Sequence, residues 1–286
     1  GGAPGNVAVG LQQLGIDSGF IGKVGNDPFG HFLVDNLKAK GVDTSAIVYS
    51  EEARTGLAFV SLKADGDREF LFYRHPSADM LLRSEELNES VIRSAQLLHF
   101  GSITLIDDPV RSATLRAIDI AGDSNCRISY DPNLRLALWP DAASAKTGML
   151  LGLSKANIVK ISEEEVEFLT GTTDPGTARE LLWHENLDIM IVTHGSKGCS
   201  YLTREFQGYI NGFSINAVDS TGAGDGFVAG LLQALLTNPE TIKNQPLLRQ
   251  ACRFANAVGA ITTTGRGAIP SLPDIETVQH FLDANP

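Results

Sequence analysis

Asp219-Ser220-Thr221-Gly222-Ala223-Gly224-Asp225-Gly226 follows a β-like stretch and leads into Phe227–Leu236, an apolar run with the length of a buried helix. A strand, a turn of small residues and a buried helix form the repeating unit of α/β folds. Gly222, Ala223 and Gly224 let the backbone approach a ligand closely, and the unpaired amides of a helix start point at an anion. The segment therefore reads as a phosphate cradle. Asp225 falls in the first helical turn, where the helix dipole favours its ionised form and where it can meet a hydroxyl near the phosphate. A plain turn with an Asp cap explains the same residues. Neither GxxxxGK[ST] nor a GxGxxG after an early strand occurs, so any phosphate site is built differently from those two.

Working outward, short β-rich runs alternate with helical patterns. Ser18–Val24 precedes Gly30–Lys40, Leu97–Phe100 precedes Val110–Ala121, and Arg127–Tyr130 precedes Ala142–Leu153; Ile158–Ile161, Glu163–Leu169 and Ile189–Thr193 continue the series. This predicts a mostly parallel central sheet with helices on both faces. Thr55–Val60 and Glu69–Arg74 break the rhythm. Ala64-Asp65-Gly66-Asp67 supplies turn chemistry between them, so 53–75 reads as a β-hairpin, either a lid or an antiparallel sheet edge. The core is then discontinuous, 1–52 and 76–286.

The 286 residues are 43% hydrophobic and 20% charged, enough to bury one large core, and carry a formal net charge of -11. That charge argues against nucleic acid and anionic membrane as partners. No apolar run reaches the roughly 18 residues of a membrane span. Cys126, Cys199 and Cys252 form no CxxC pair, which points away from zinc and disulfides and towards a reducing compartment.

Asp219–Asp225 resembles the DTTGAGD signature of the PfkB (ribokinase-like) sugar kinases, and Gly1-Gly2-Ala3-Pro4-Gly5-Asn6-Val7-Ala8 resembles that family's other signature, roughly 220 residues upstream. Gly22–Gly30, Phe72–Leu82, Asp131-Pro132-Asn133-Leu134-Arg135, Trp183–Leu187 and Gly259–Thr264 are similar to the fructokinase branch, plant-type members most of all.

The resemblance implies a ribokinase-like fold with a small β lid and ATP-dependent phosphorylation of fructose at its 6-hydroxyl. It makes Asp225 the catalytic base and Gly222, Ala223 and Gly224 the anion hole. Thr193, Gly195 and Gly198 would line ATP, with Asn256 near the adenine. Lys160-Ile161-Ser162-Glu163-Glu164-Glu165 is similar to the family's NxxE region, so Ser162 and Glu165 would hold Mg²⁺ through water; as an N-cap and an acidic first turn they need no metal. Asp219 and Thr221, beside Thr264–Ala268, would hold K⁺. Gly2, Asn6, Arg74, Asn133 and Arg135 would contact the sugar.

Kinases of aminoimidazole riboside or 2-keto-3-deoxygluconate, and a non-catalytic regulatory relative, are the alternatives. Fructose and ATP are the expected partners, with a homodimer through the lid suggested by the family. A cytosolic location is expected, with a plastid one left open. The resemblance also leads us to expect, ahead of Gly1, a core strand carrying an acidic sugar ligand and strands that pair with the lid.

Overall fold

The computed structural model describes residues 2–62 and 68–286, so Gly1 and the expected turn Ala64–Asp67 lie outside the described residues. Helix α1 (Ala3–Gln13) is followed by β1 (Gly22–Gly25), α2 (Pro28–Ala39) and β2 (Ile47–Ser50), then by the hairpin strands β3 (Leu57–Leu62) and β4 (Arg68–Tyr73). The next units are α3 (Glu89–Ser94), β5 (Leu97–Gly101), α4 (Val110–Gly122), β6 (Arg127–Asp131), α5 (Ala142–Ser154), β7 (Ile158–Ser162), α6 (Glu163–Thr170), α7 (Pro175–Leu182) and β8 (Ile189–Thr193). Strands β9 (Gly198–Thr203) and β10 (Gln207–Asn211) precede α8 (Ala223–Thr237), α9 (Gln245–Thr262), α10 (Ala268–Ser271) and α11 (Ile275–Ala284).

Six strands form the central sheet in the order β10-β9-β8-β7-β6-β5. β5 to β8 run parallel, while β9 and β10 add an antiparallel edge that sequence patterning does not reveal. The period of two along each strand divides the core. In β8, Met190 and Val192 pack with Met149, Leu153 and Val166 from α5 and α6, whereas Ile189 and Ile191 pack with Val7, Phe227, Leu231 and Val258 from α1, α8 and α9. All four β8 residues are fully buried, and each such side chain stabilises the fold by ~1.5–3 kcal/mol. Helices thus cover both faces, as the alternating pattern predicts.

Two early elements differ from the expectation. The Ser18–Val24 region does not join the central sheet; β1 pairs in parallel with β2 in a separate two-stranded sheet. Its connector α2 starts at Pro28, two residues before the expected Gly30, because Asp27 caps it by accepting from the Phe29 and Gly30 amides at 3.0 and 2.9 Å. Among the described residues strands β3 and β4 pair only with each other, with Leu57 opposite Tyr73 and Phe59 opposite Leu71. Asp27 also secures the hairpin's first residues: its carboxylate accepts from the Thr55 amide and hydroxyl at 2.8 and 2.9 Å. Burial opposes ionisation of Asp27, but these donors outweigh it and hold the pKa below the usual carboxylate range.

Candidate active site

The start of α8 sets the site. Gly222 is its N-cap, with φ 82 in the left-handed region and no side chain to cap the helix. A Cβ at this position would overlap that of Ala268, so the glycine is required for both conformation and space. α8 begins at Ala223, earlier than the apolar run at Phe227 suggests, which places Asp225 in its first turn as expected. The Ala223 amide is engaged by the Ser220 carbonyl at 3.2 Å, and the Gly226 amide reaches Gly222 O at 2.8 Å. The Gly224 and Asp225 amides, by position, have no carbonyl of the helix four residues behind them. Together with the helix dipole they make an anion cradle.

Asp225 is 9% exposed, and its Oδ2 accepts from Asn6 Nδ2 at 2.7 Å. Asn6 lies in the first turns of α1, which Gly2 and Pro4 initiate, and its buried Oδ1 has no hydrogen-bond partner among the described residues. Two helix starts separated by 219 positions in sequence thus meet at one carboxylate. Burial pushes Asp225 up to about 6; the Asn6 hydrogen bond opposes this, Asp131 adds to it, and the positive charges of Lys160 and Arg135 oppose it.

Strand periodicity supplies the floor. Ile128 and Tyr130 of β6, like Val159 and Ile161 of β7, belong to the core beneath α4, α5 and α6. Asp131 and Lys160 therefore lie on the opposite, α8-covered face, near the carboxyl ends of their strands, where open α/β sheets place ligands. Lys160 Nζ is 3.2 Å from each Asp131 carboxylate oxygen, and both residues are buried. Burial disfavours the ammonium, yet Asp131, Glu165 and Asp225 more than compensate and raise the Lys160 pKa. Sequence reasoning assigns no role to either residue. The available signal was a lone Lys inside the apolar run Ile158–Ile161, since a cation buried there requires a partner.

Ser162 and Glu165 form a reciprocal capping box. Ser162 Oγ accepts from the Glu165 amide at 3.2 Å, while Glu165 Oε2 and Oε1 accept from the Ser162 and Leu134 amides at 2.9 and 2.7 Å. Burial raises the Glu165 pKa, with Lys160 opposing. Both Glu165 oxygens already serve amides, so this pair suits a metal-bound water better than direct ligation. Among the described residues no cluster of three or more His, Cys, Asp or Glu side chains forms a metal cage. Asp131, Glu165 and Asp225 all act electrostatically on the Lys160 ammonium, so carboxyl groups outnumber that cation here.

The other expected residues divide into groups. Thr193 ends β8, with its hydroxyl 3.5 Å from Ile161 O. Gly195 adopts φ 57 beside open space, whereas a Cβ on Gly198 would collide with the Ile210 carbonyl, giving that glycine a packing reason of its own. Asn256 is buried and donates to Asn211 O at 3.1 Å and Ile210 O at 3.4 Å, tying α9 to the end of β10. Asp219 bridges two loops, accepting from the Thr221 amide at 2.8 Å and the Gly267 amide at 2.9 Å, which brings Thr264–Ala268 beside the cradle. Asn133 holds φ 46, and Arg135 donates to Leu134 O from an exposed position. Arg74 is bound to Asp79 at 2.7 Å at the foot of the hairpin.

Comparison with known proteins gives a consistent result. Residues 1–275 match the pfkB family of carbohydrate kinases. Probable fructokinase-3 of Arabidopsis thaliana is 51% identical over 286 residues, covering 99% of this chain and 83% of its own length; fructokinase-2 of Oryza sativa subsp. japonica is 48% identical over 283 residues, covering 99% and 84%. Among solved structures, fructokinase with bound ATP from Xylella fastidiosa superposes with TM-score 0.94 at 33% identity, covering 99% of this chain and 90% of that one. Fructokinase from Vibrio cholerae O395, bound to fructose, ADP and calcium ion, gives 0.90 at 36%, covering 99% and 91%. With a match over nearly the whole chain, and with both signature segments meeting at Asp225, this protein belongs to the pfkB family of carbohydrate kinases.

Proposed function

We propose that the chain transfers the γ-phosphoryl group of ATP to the 6-hydroxyl of fructose, giving fructose 6-phosphate and ADP. The observation that carries this reading is the buried Asp225 carboxylate at an amide-lined helix start, held by Asn6. Asp225 accepts the hydroxyl proton as the acceptor oxygen bonds to phosphorus, and the bond from phosphorus to the β-γ bridging oxygen breaks with its electron pair left on ADP. The Gly224 and Asp225 amides, on the turn that Gly222 and Ala223 shape, meet the charge that develops on the transferred group. Thr193, Gly195, Gly198 and Asn256 would lie along the nucleotide, and Gly2, Asn6, Asn133, Arg135 and a repositioned Arg74 around the sugar. The unpartnered Asn6 Oδ1 supports a sugar hydroxyl at that point, since a buried acceptor needs a donor.

Mg²⁺ fits the excess of carboxyl groups. Ser162 and Glu165 would hold its waters, and the ion would spread the charge of the β- and γ-phosphates. K⁺ would sit beside Asp219 and Thr221. The three free, buried cysteines support a cytosolic setting. No helix of the described residues is long and apolar enough to cross a membrane.

A coupled ADP-release assay tests the function with fructose, glucose, ribose, 2-keto-3-deoxygluconate and aminoimidazole riboside, with Mg-ATP and with or without K⁺. We expect fructose to give the highest kcat/KM, by at least ~10-fold, the low end of what a single pocket contact discriminates. Preference for another acceptor overturns the substrate alone, whereas silence with every sugar overturns the kinase reading in favour of a non-catalytic relative.

The hairpin, which together with its flanks spans 53–75, is proposed as a lid that closes over the sugar and excludes water. Its separation from the central sheet supports this, as does its attachment through Thr55 and Arg74 at either end. Phe59, Leu71 and Tyr73 stand 56%, 56% and 60% exposed on one hairpin face, an apolar surface that suits a second copy of the chain. Hydrogen exchange of Leu57–Leu62 should slow by about 10-fold on adding fructose with a non-hydrolysable ATP analogue, and slow again at high protein concentration. Equal exchange with and without ligands defeats closure; equal exchange at both concentrations defeats the dimer.

A further inference from the structure

Lys160 is a buried cation that the chemistry proposed above does not use. It lies in a central strand, it is 8% exposed, and the one hydrogen-bond acceptor described for it is Asp131. Both contacts, at 3.2 Å, are longer than the ~2.7–2.9 Å of a well-formed charged hydrogen bond, and an ammonium has three donors to place. A buried ion pair of this kind adds little stability over apolar residues of the same volume, so stability does not account for it.

Gly224 shows what the amine faces. A Cβ on Gly224 would lie 3.4 Å from Lys160 Nζ, so the ammonium stands against the bare face of that cradle glycine. The nearby groups are three carboxyls, on Asp131, Glu165 and Asp225, against this one ammonium. Arg135, the other cation that acts on Asp225, is exposed and donates to its neighbour's carbonyl. The sequence has no P-loop lysine to meet the phosphates.

We propose that Lys160 is a catalytic residue of phosphoryl transfer: its ammonium rests on Asp131 and, once nucleotide and acceptor are bound, donates past Gly224 to a non-bridging oxygen of the transferred group. The inference rests on the kinase reading above. Lys160 forms no covalent bond and keeps its protons. It offsets charge that develops as the group moves, so its effect falls on the transition state more than on either substrate.

The test compares wild type, Lys160→Met, Lys160→Ala and the pair Lys160→Met with Asp131→Leu, which leaves no charge at either position. We expect kcat to fall about 10²–10³-fold in each variant, the usual cost of one lost transition-state donor, with ATP and fructose affinities by calorimetry within about 3-fold of wild type. Binding of ADP with aluminium fluoride and fructose, a mimic of the transferring group, should weaken about as much as kcat falls. Soluble ethylammonium should restore part of the rate of Lys160→Ala with saturating dependence. A merely structural pair predicts instead that the doubly apolar variant regains full activity, and that result overturns the proposal. So does a folded Lys160→Met with kcat within 5-fold of wild type, or a Lys160→Ala that no amine rescues. A wild type silent on every sugar removes the kinase reading, and this inference with it.

Discussion

Asp225→Asn is expected to lower kcat by about 10³-fold or more while leaving ATP affinity nearly unchanged, because the substitution removes the base and retains the shape of the cradle. The asparagine Oδ1 can still accept the hydrogen bond that Asn6 donates at 2.7 Å. Wild-type activity should also depend on pH with a definite sign. The base must be ionised, and burial first of all raises its pKa to about 6, so kcat/KM should fall tenfold per pH unit below that value; the variant's residual rate should not follow this limb. Stability should move the other way. The folded carboxyl binds its proton more tightly than an unfolded one with the ordinary 3.8, so ionising it weakens the fold above about pH 6, and that cost fades as pH falls towards 4. Two units correspond to ~3 kcal/mol. Asp225→Asn should therefore melt about 5 °C higher than wild type at pH 8, with the gap closing by pH 4. Retained turnover would remove Asp225 from its role, and a lower melting point at pH 8 would contradict its buried charge.

Much of this arrangement is readable before the fold is known, because its signals are local. The glycine turn and following apolar run locate α8 and place Asp225 in its first turn, since both depend on near neighbours. Strand and helix alternation from Leu97 to Thr193 predicts the parallel strands β5 to β8 because each must be covered on both faces. Ser162 and Glu165, three apart, suit both a cap and a water-held metal, and the cap is present. What sequence patterning misses depends on contacts made through space. Nothing near Ser18–Val24 states that β1 will pair with β2 rather than with the large sheet. Asn6 and Asp225 are joined only through the packing of α1 against α8, whose Val7, Phe227 and Val228 share one core. Lys160 in its apolar run signals that a partner is needed, but that the partner is Asp131 on the neighbouring strand depends on how β6 and β7 pair, and that Arg74 binds Asp79 depends on the turn after the hairpin.

The second large effect belongs to Gly222, where conformation and space can be tested separately. Gly222→Ala introduces a side chain at φ 82, which costs ~1–2 kcal/mol, and also drives its Cβ into Ala268, adding ~1–3 kcal/mol for overpacking. Ala268 cannot simply retreat. It opens α10 directly after Gly267, whose amide is bound by Asp219 at 2.9 Å, and Asp219 in turn accepts from the Thr221 amide next to Gly222. Relief must therefore come from α8 itself, which moves the Gly224 and Asp225 amides and the Asp225 carboxylate together. A shift of about 1 Å is enough to lose about 10² in rate. Gly171, the C-cap of α6, provides the comparison: its φ is 80, but a Cβ there meets nothing within 4 Å. Gly171→Ala should lose only the conformational part, about 2–3 °C in melting temperature, with kcat unchanged, whereas Gly222→Ala should lose about 6 °C and about 100-fold in kcat. Equal thermal losses would show that Ala268 gives way freely, and full activity in Gly222→Ala would mean that the turn does not position the carboxylate and amides on which the proposed chemistry depends.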